Sequence, residues 1–262
     1  MNKIETRILP PDSVLRRIFL FSDFDGTLSS IRKDPQKVVL SQRARKVLES
    51  LSKKIPIAII SGRSLAFLKK TIAIPAMILA GNHGLEINMG RNKFRHPQAV
   101  ACKKEITRFA WGLKKLFLGT EGILIEEKGL TLTFHYRLVQ PRKREEVCKA
   151  FYDYFKTVSK EDTLKVTTGK MSLEIRPNID WGKKDAILWI LEMDKKRFPE
   201  REVIPIYIGD DETDRSALAM IKKMGIAIFV GKAATLPIKA TFYVPSQSKC
   251  IELLRQITRE IG

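Results

Sequence analysis

No apolar run in this 262-residue chain approaches the roughly 20 residues needed to cross a bilayer. The longest, Ile55–Ile60 and Ile74–Ala80, are strand-length and broken by proline, so a membrane-spanning role is excluded at this level. Met1 to Ser13 carries Glu5, Asp12 and two prolines and does not read as a signal peptide. Cysteine is scarce: Cys102, Cys148 and Cys250 lie far apart, without the spacing of a metal site. An odd, scattered set points to reduced thiols and a cytoplasmic protein. Charge is plentiful but not concentrated. Of the formal +19, the stretch 98–177 carries +6 and the remainder +13, a split that follows length. A nucleic-acid binder gathers its charge on one face or segment. The even spread selects instead a basic surface that attracts small anionic substrates.

The chain is 44% hydrophobic and 29% charged, which suits a globular protein with a real core. Arg17–Ser22 is a short apolar run that ends at Asp23, as a buried parallel strand would. A helix is expected over Ser41 to Lys54, with Val47, Leu48 and Leu51 on one face. A second strand, Ile55–Ile60, ends at Ser61-Gly62-Arg63, and a third, Ala76–Ala80, leads into Gly81-Asn82-His83-Gly84. Towards the other end, Val203–Ile208 runs into Gly209-Asp210-Asp211 before a helix over Ser216 to Met224 and a strand over Ile226–Val230. This alternation predicts an α/β fold with a doubly wound parallel sheet, whose chemistry gathers beyond the C-terminal strand ends.

The middle follows another pattern: helix, hairpin, helix, hairpin. Apolar residues recur at helical spacing in Val100 to Leu118 and in Glu145 to Val158. Strand pairs are expected around Lys128-Gly129 and around Thr168-Gly169. The expected organisation is a core of 1–97 and 178–262 with an inserted α+β domain over 98–177.

Asp23-Phe24-Asp25-Gly26-Thr27 puts two carboxylates one residue apart just past a buried strand, with a glycine that permits a turn. Asp210, Asp211 and Asp214 follow a second strand, again beside a glycine. Aspartates at such places can simply cap helices. Two acidic clusters at one sheet edge, with Ser61-Gly62-Arg63 ending a third strand, fit a site for Mg²⁺, which prefers hard oxygen ligands.

Asp23–Thr27 after its apolar strand resembles the nucleophile loop of haloacid dehalogenase-type phosphatases. Ser61 is similar to that family's second motif, Lys183 or Lys184 to its third, and Gly209–Asp214 to its acidic fourth, all in order. An insertion between the second and third motifs corresponds to the family's larger cap type. Gly81–Glu86, His135-Tyr136-Arg137, Gly169-Lys170, Glu174–Pro177 and Asp180-Trp181 resemble the trehalose-6-phosphate phosphatase branch. The branch usually has Lys-Gly where this chain has Lys183-Lys184. With Trp181-Gly182 as the anchor, Lys183 takes the catalytic place; a shift of one residue would give it to Lys184.

The resemblance implies Asp23 as nucleophile and Asp25 as general acid and base, with Ser61 and Lys183 on the phosphoryl oxygens. It implies Mg²⁺ held by Asp23, the backbone carbonyl of Asp25 and Asp210, with Asp211 and Asp214 in support. Gly62, Arg63, His83, Arg137, Lys170 and Glu174 are the expected substrate-side residues. Independently, Lys170, Ser172, Glu174 and Arg176 alternate with Met171, Leu173 and Ile175, so one face of the inserted sheet is polar. That face is either an ordinary solvated surface or the surface that closes over the site and reads a polyhydroxylated leaving group. The same fold could act on another sugar phosphate, such as sucrose phosphate or a glycosyl phosphoglycerate, or could serve as a nucleic-acid-binding module. A trehalose-6-phosphate synthase is the partner the resemblance implies.

Overall fold

A computed structural model of the chain describes residues 16–32, 34–159, 162–232 and 240–261. The Met1–Ser13 stretch read above lies outside them. The chain enters on β1 (Arg16–Ser22) and continues through α1 (Gln42–Leu51), β2 (Ile57–Ile60), α2 (Leu65–Ile72), β3 (Ile78–Gly81), β4 (Glu86–Met89) and β5 (Asn92–Arg95). There follow α3 (Pro97–Ala101), α4 (Lys103–Leu116), β6 (Leu124–Glu127), β7 (Leu132–His135), α5 (Arg144–Val158), β8 (Leu164–Gly169) and β9 (Ser172–Pro177). The last stretch holds α6 (Lys183–Arg197), β10 (Glu202–Gly209), α7 (Arg215–Met224), β11 (Ile226–Val230), β12 (Phe242–Val244) and α8 (Gln247–Glu260). Two compact units result: Met1–Phe94 with Trp181–Gly262, and Arg95–Asp180.

In the first unit the sheet order is β12-β11-β10-β1-β2-β3-β4-β5. From β12 to β3 every pairing is parallel, and β4 runs antiparallel to β3. The fold is thus a parallel-sheet α/β structure. The central strands are apolar throughout because helices cover both faces. Leu20, Ile59 and Ile208 pack with α1, α2 and α8 on one side, while Phe19, Phe21 and Tyr207 pack with α6 and α7 on the other. Each fully buried side chain of that size contributes roughly 1.5–3 kcal/mol, so the strand ends are held firmly. Serines start three of the helices, with Ser41, Ser64 and Ser246 accepting from the backbone N–H of Ala44, Phe67 and Lys249. The chain leaves β1 towards β2 on one side and returns as β10 on the other. The crevice between β1 and β10 is therefore the topological switch point, where such sheets bind ligands.

The second unit is a four-stranded antiparallel sheet in the order β6-β7-β9-β8. Ile106, Phe109 and Leu113 of α4 and Val147 and Phe151 of α5 pack on Leu132, Phe134, Leu173 and Ile175. The second hairpin turns two residues later than expected. Gly169 pairs with Ser172 inside the ladder, and the turn is Lys170-Met171, with Met171 at φ 61°. Thr168-Gly169 looked like a turn because glycine usually marks one. Here Gly169 admits the Ser172 hydroxyl, which a Cβ would approach to 2.7 Å. Lys170 therefore sits on the turn and not on the strand. Among the described residues no helix is long and apolar enough to cross a membrane.

Candidate active site

Strands β1 and β10 deliver the acidic residues to one place. Asp23 follows β1 and is 4% exposed, and its N–H bonds to Ile208 O of β10 at 2.8 Å. Asp210, Asp211 and Asp214 follow β10. Lys183 opens α6 and is 3% exposed. Its Nζ lies 2.9 Å from Asp23 Oδ1 and 2.7 Å from Asp214 Oδ1. Lys184 points elsewhere, with its Nζ 3.8 Å from Asp185 and 42% of its side chain exposed. Of the two lysines considered from the sequence, Lys183 alone reaches the aspartates.

Asp214 is completely buried and fully engaged. Oδ1 also accepts from Tyr207 OH at 2.5 Å, and Oδ2 accepts from the N–H groups of Asp210 and Asp211 at 3.0 and 3.1 Å. Four donors on two oxygens make it an anchor for the loop and for Lys183. Asp211 Oδ1 accepts from Thr213 N–H and Oγ1 at 2.9 and 2.6 Å, capping the short turn that follows. Asp210 Oδ1 accepts from Thr27 at 2.9 Å. The Oδ2 atoms of Asp23 and Asp210 stand outside these bonds.

Burial pushes the Asp23 carboxyl well above the usual carboxylate range, against the pull of Lys183 and with the push of Asp214 and Asp210. Burial, then Asp214 and Asp211, raise Asp210 to about 7. Burial alone would lower the Lys183 ammonium, but Asp214 and Asp23 outweigh it and hold the group charged. Burial also works upward on Asp211, yet Lys183 and the Thr213 bonds bring it below the ordinary value. One ammonium thus faces four carboxylates. Atoms of Asp23, Asp210 and Asp214 lie within 4.8 Å of one another, and the surplus negative charge fits a hard divalent cation. With Asp214 spent on hydrogen bonds, Asp23 and Asp210 are the side chains best placed to hold it.

Gly26 keeps this arrangement open. Its φ is +85°, and a Cβ there would meet Asp210 Oδ2 at 2.1 Å. Gly26→Ala is expected to cost about 1–3 kcal/mol in stability and at least about 100-fold in catalytic turnover. Thermal melting and a rate assay check this; an Ala variant with wild-type turnover would contradict the reading.

The second strand end supplies Ser61, Gly62 and Arg63. Ser61 is 2% exposed, and its Oγ accepts from Arg63 N–H at 3.3 Å. Arg63 grips Asp25 through both oxygens, with Nε to Oδ2 at 2.7 Å and Nη2 to Oδ1 at 2.9 Å. His83 lies at φ 58°, its N–H bonded to Ser61 O, and its ring sits where a Cβ on Gly62 would be. Trp181 Nε1 donates to Gly84 O at 2.9 Å, tying the entry of α6 to this loop.

Within the second unit, Glu174 Oε1 accepts from Lys128 Nζ at 3.1 Å and Thr131 Oγ1 at 3.3 Å. Arg137 donates to the carbonyl of Lys170 at 2.8 Å. His135 Nε2 lies 3.0 Å from Glu126 Oε2 on the same sheet. Three residues of the first-unit network were not singled out for a role from the sequence. Tyr207 had a signal, as a lone phenol in an aliphatic strand whose hydroxyl needs a buried partner. Thr27 and Asn82 lie inside the motifs Asp23–Thr27 and Gly81–Glu86, but their bonds to Asp210 and Glu86 follow from the fold.

The trehalose-phosphatase family model matches residues 21–248. The trehalose-phosphate phosphatase of Mycobacterium tuberculosis is 32% identical over 254 residues, covering 95% of this chain and 63% of its own length. The chain therefore spans a little under two thirds of that relative. Among solved structures, the C-terminal domain of C. albicans trehalose-6-phosphate phosphatase superposes with a TM-score of 0.74 at 26% identity, covering 94% of this chain and 92% of that one. A haloacid dehalogenase-like hydrolase from Bacteroides thetaiotaomicron shares the fold, with a TM-score of 0.60 at 17% identity and coverage of 91% and 98%.

Proposed function

This chain belongs to the trehalose-phosphatase family, and on that footing we propose that it hydrolyses trehalose 6-phosphate to trehalose and phosphate through a phosphoryl group carried on Asp23. The observation that carries the reading is the buried Asp23–Lys183–Asp214 network beside Asp210 at the switch point of the sheet.

Lys183 orients Asp23 by holding Oδ1, which leaves Oδ2 to attack phosphorus. Asp25 gives a proton to the departing sugar oxygen and later takes one from the attacking water. Ser61 and Lys183 hold phosphoryl oxygens while charge redistributes among them. Mg²⁺, held by Asp23 and Asp210 with the Asp25 carbonyl, would screen the repulsion between a carboxylate nucleophile and an anionic ester. Glu174 and Arg137 belong to the sugar-reading face of the second unit. Such an enzyme works in the cytoplasm, where its thiols stay reduced. A trehalose-6-phosphate synthase is its natural associate, because the product of one is the substrate of the other.

A phosphate-release screen tests the assignment. Trehalose 6-phosphate should exceed sucrose 6-phosphate, glucosyl phosphoglycerate and nitrophenyl phosphate in kcat/KM. A different sugar phosphate at the head of the order would move the substrate while leaving the chemistry.

Metal dependence follows from the surplus carboxylates. Chelation should silence the enzyme and Mg²⁺ restore it; full activity in metal-stripped protein would contradict the reading. The pH dependence has a definite sign. Asp210 is raised from 3.8 to about 7, so the folded metal-free protein binds this proton more tightly than the unfolded chain. Its contribution to stability is complete at low pH and is lost as pH rises through about 7. Mg²⁺ competes with that proton. The rise in melting temperature on adding Mg²⁺ should therefore be larger at about pH 8 than at about pH 5.5, and an equal rise at both would argue against Asp210 as a ligand.

Glu174→Ala tests the sugar-reading face. A charged hydrogen bond to a hydroxyl is worth roughly 1.5–3 kcal/mol, or about one to two decades in kcat/KM for trehalose 6-phosphate. Nitrophenyl phosphate should be unaffected. Unchanged values on both substrates would remove Glu174 from the site.

A further inference from the structure

We infer that Arg63 is the positioning residue of Asp25, holding the acid–base carboxylate in place, and is not a direct clamp on the substrate. The inference rests on the phosphatase reading above. In that reaction Asp25 donates its proton to the sugar oxygen as the P–O bond breaks and the bond from Asp23 to phosphorus forms. The resulting carboxylate takes a proton from water as the water oxygen attacks phosphorus and the bond to Asp23 breaks. Both transfers need the carboxylate in one place through two steps, on a loop that turns at Gly26 directly afterwards.

All three guanidinium nitrogens of Arg63 are engaged. Nε and Nη2 take the two Asp25 oxygens, and Nη1 donates to Pro35 O at 2.8 Å. The guanidinium carbon lies 4.7 Å from the centre of the Phe67 ring. The residue is only 9% exposed. Its backbone is fixed as well, with Asn82 N–H donating to Arg63 O at 2.7 Å. A planar fork bound to both oxygens of a carboxylate sets distance and orientation together, which a lysine cannot do. The pairing also joins two strand ends, because Arg63 follows β2 and Asp25 follows β1. A clamp on phosphate would instead turn its donors towards Asp23 and Lys183.

The test compares Arg63→Gln and Arg63→Lys with wild type on trehalose 6-phosphate and nitrophenyl phosphate, with Mg²⁺ present. A sugar alkoxide needs protonation to leave and a nitrophenolate does not. Since kcat/KM reports the steps up to the first departure, Arg63→Gln should lower it about 10–100-fold for the sugar ester and less than about threefold for the aryl ester. Arg63→Lys should recover little of the loss, and it carries the comparison if the Gln variant does not fold. In an Asp25→Asn background, adding Arg63→Gln should cost less than about threefold more, because the residue acts only through Asp25. Equal losses on both esters would overturn the inference in favour of a phosphate contact. A full further loss in the Asp25→Asn background would overturn it in favour of a sugar contact. Inactivity of wild-type protein on every ester is a separate result, which removes the phosphatase reading and this inference with it.

Discussion

Asp23→Asn should abolish phosphate release, by about 10⁴-fold or more, while the protein melts at or above the wild-type temperature. The two halves of this expectation have one cause. Asp23 is buried, and desolvation together with Asp214, Asp210 and Asp211 disfavours its ionised form against the pull of Lys183. An amide of the same shape removes the nucleophile and also removes one of the mutually repelling charges. Loss of activity with loss of folding would make Asp23 a structural residue. Retained turnover in a folded variant would take the nucleophile away from it. The melting measurement is made without Mg²⁺, since the metal would stabilise only the wild type.

Lys183→Met should be destructive in both respects. Lys183 is the one ammonium that bonds Asp23 and Asp214 among the described residues. Removing one partner of a buried ion pair leaves uncompensated charge and costs about 3–5 kcal/mol. For a chain of this length that corresponds to a fall of about 6–20 °C in melting temperature. Activity should fall with it, because the Asp23 carboxylate loses its orientation. Lys184→Met provides the contrast: 42% of its side chain is exposed and its ion pair is with Asp185, so melting and turnover should both stay close to wild type. Equal damage from the two substitutions would mean that the lysine assignment is displaced by one residue.

Much of this site was legible because apolar strands stop abruptly at acidic or small polar residues. Asp23, Ser61 and Asp210 each follow such a stop, and parallel topology then forces the three ends to the same edge. The choice between Lys183 and Lys184 was less visible. Adjacent residues at a helix start point about 100° apart, and only the packing of α6 decides which one enters the crevice. Tyr207 and Thr27 escaped for a related reason, since their partners lie seven and 183 positions away in sequence. The Arg63–Asp25 pair spans 38 positions and joins two motifs that a linear reading treats separately. The β4–β5 pair, β12 and α8 had no place in the sequence reading. The edge strands are three or four residues long, too short for a period to establish itself. The hairpin turns at Lys170-Met171, past the expected Thr168-Gly169, because Gly169 makes room for Ser172 within the ladder.

Covalent phosphorylation of Asp23 is the claim on which the rest depends, and Asp25→Asn protein mixed rapidly with nitrophenyl phosphate and Mg²⁺ tests it most directly. A nitrophenolate leaves without an acid, but hydrolysis of the phosphoryl enzyme still needs the base. A burst of about one nitrophenolate per site should appear, followed by slow turnover, with the acid-quenched protein carrying its phosphoryl group on the peptide that contains Asp23. Linear release from the first turnover, with no phosphoryl group on that peptide, would contradict that claim.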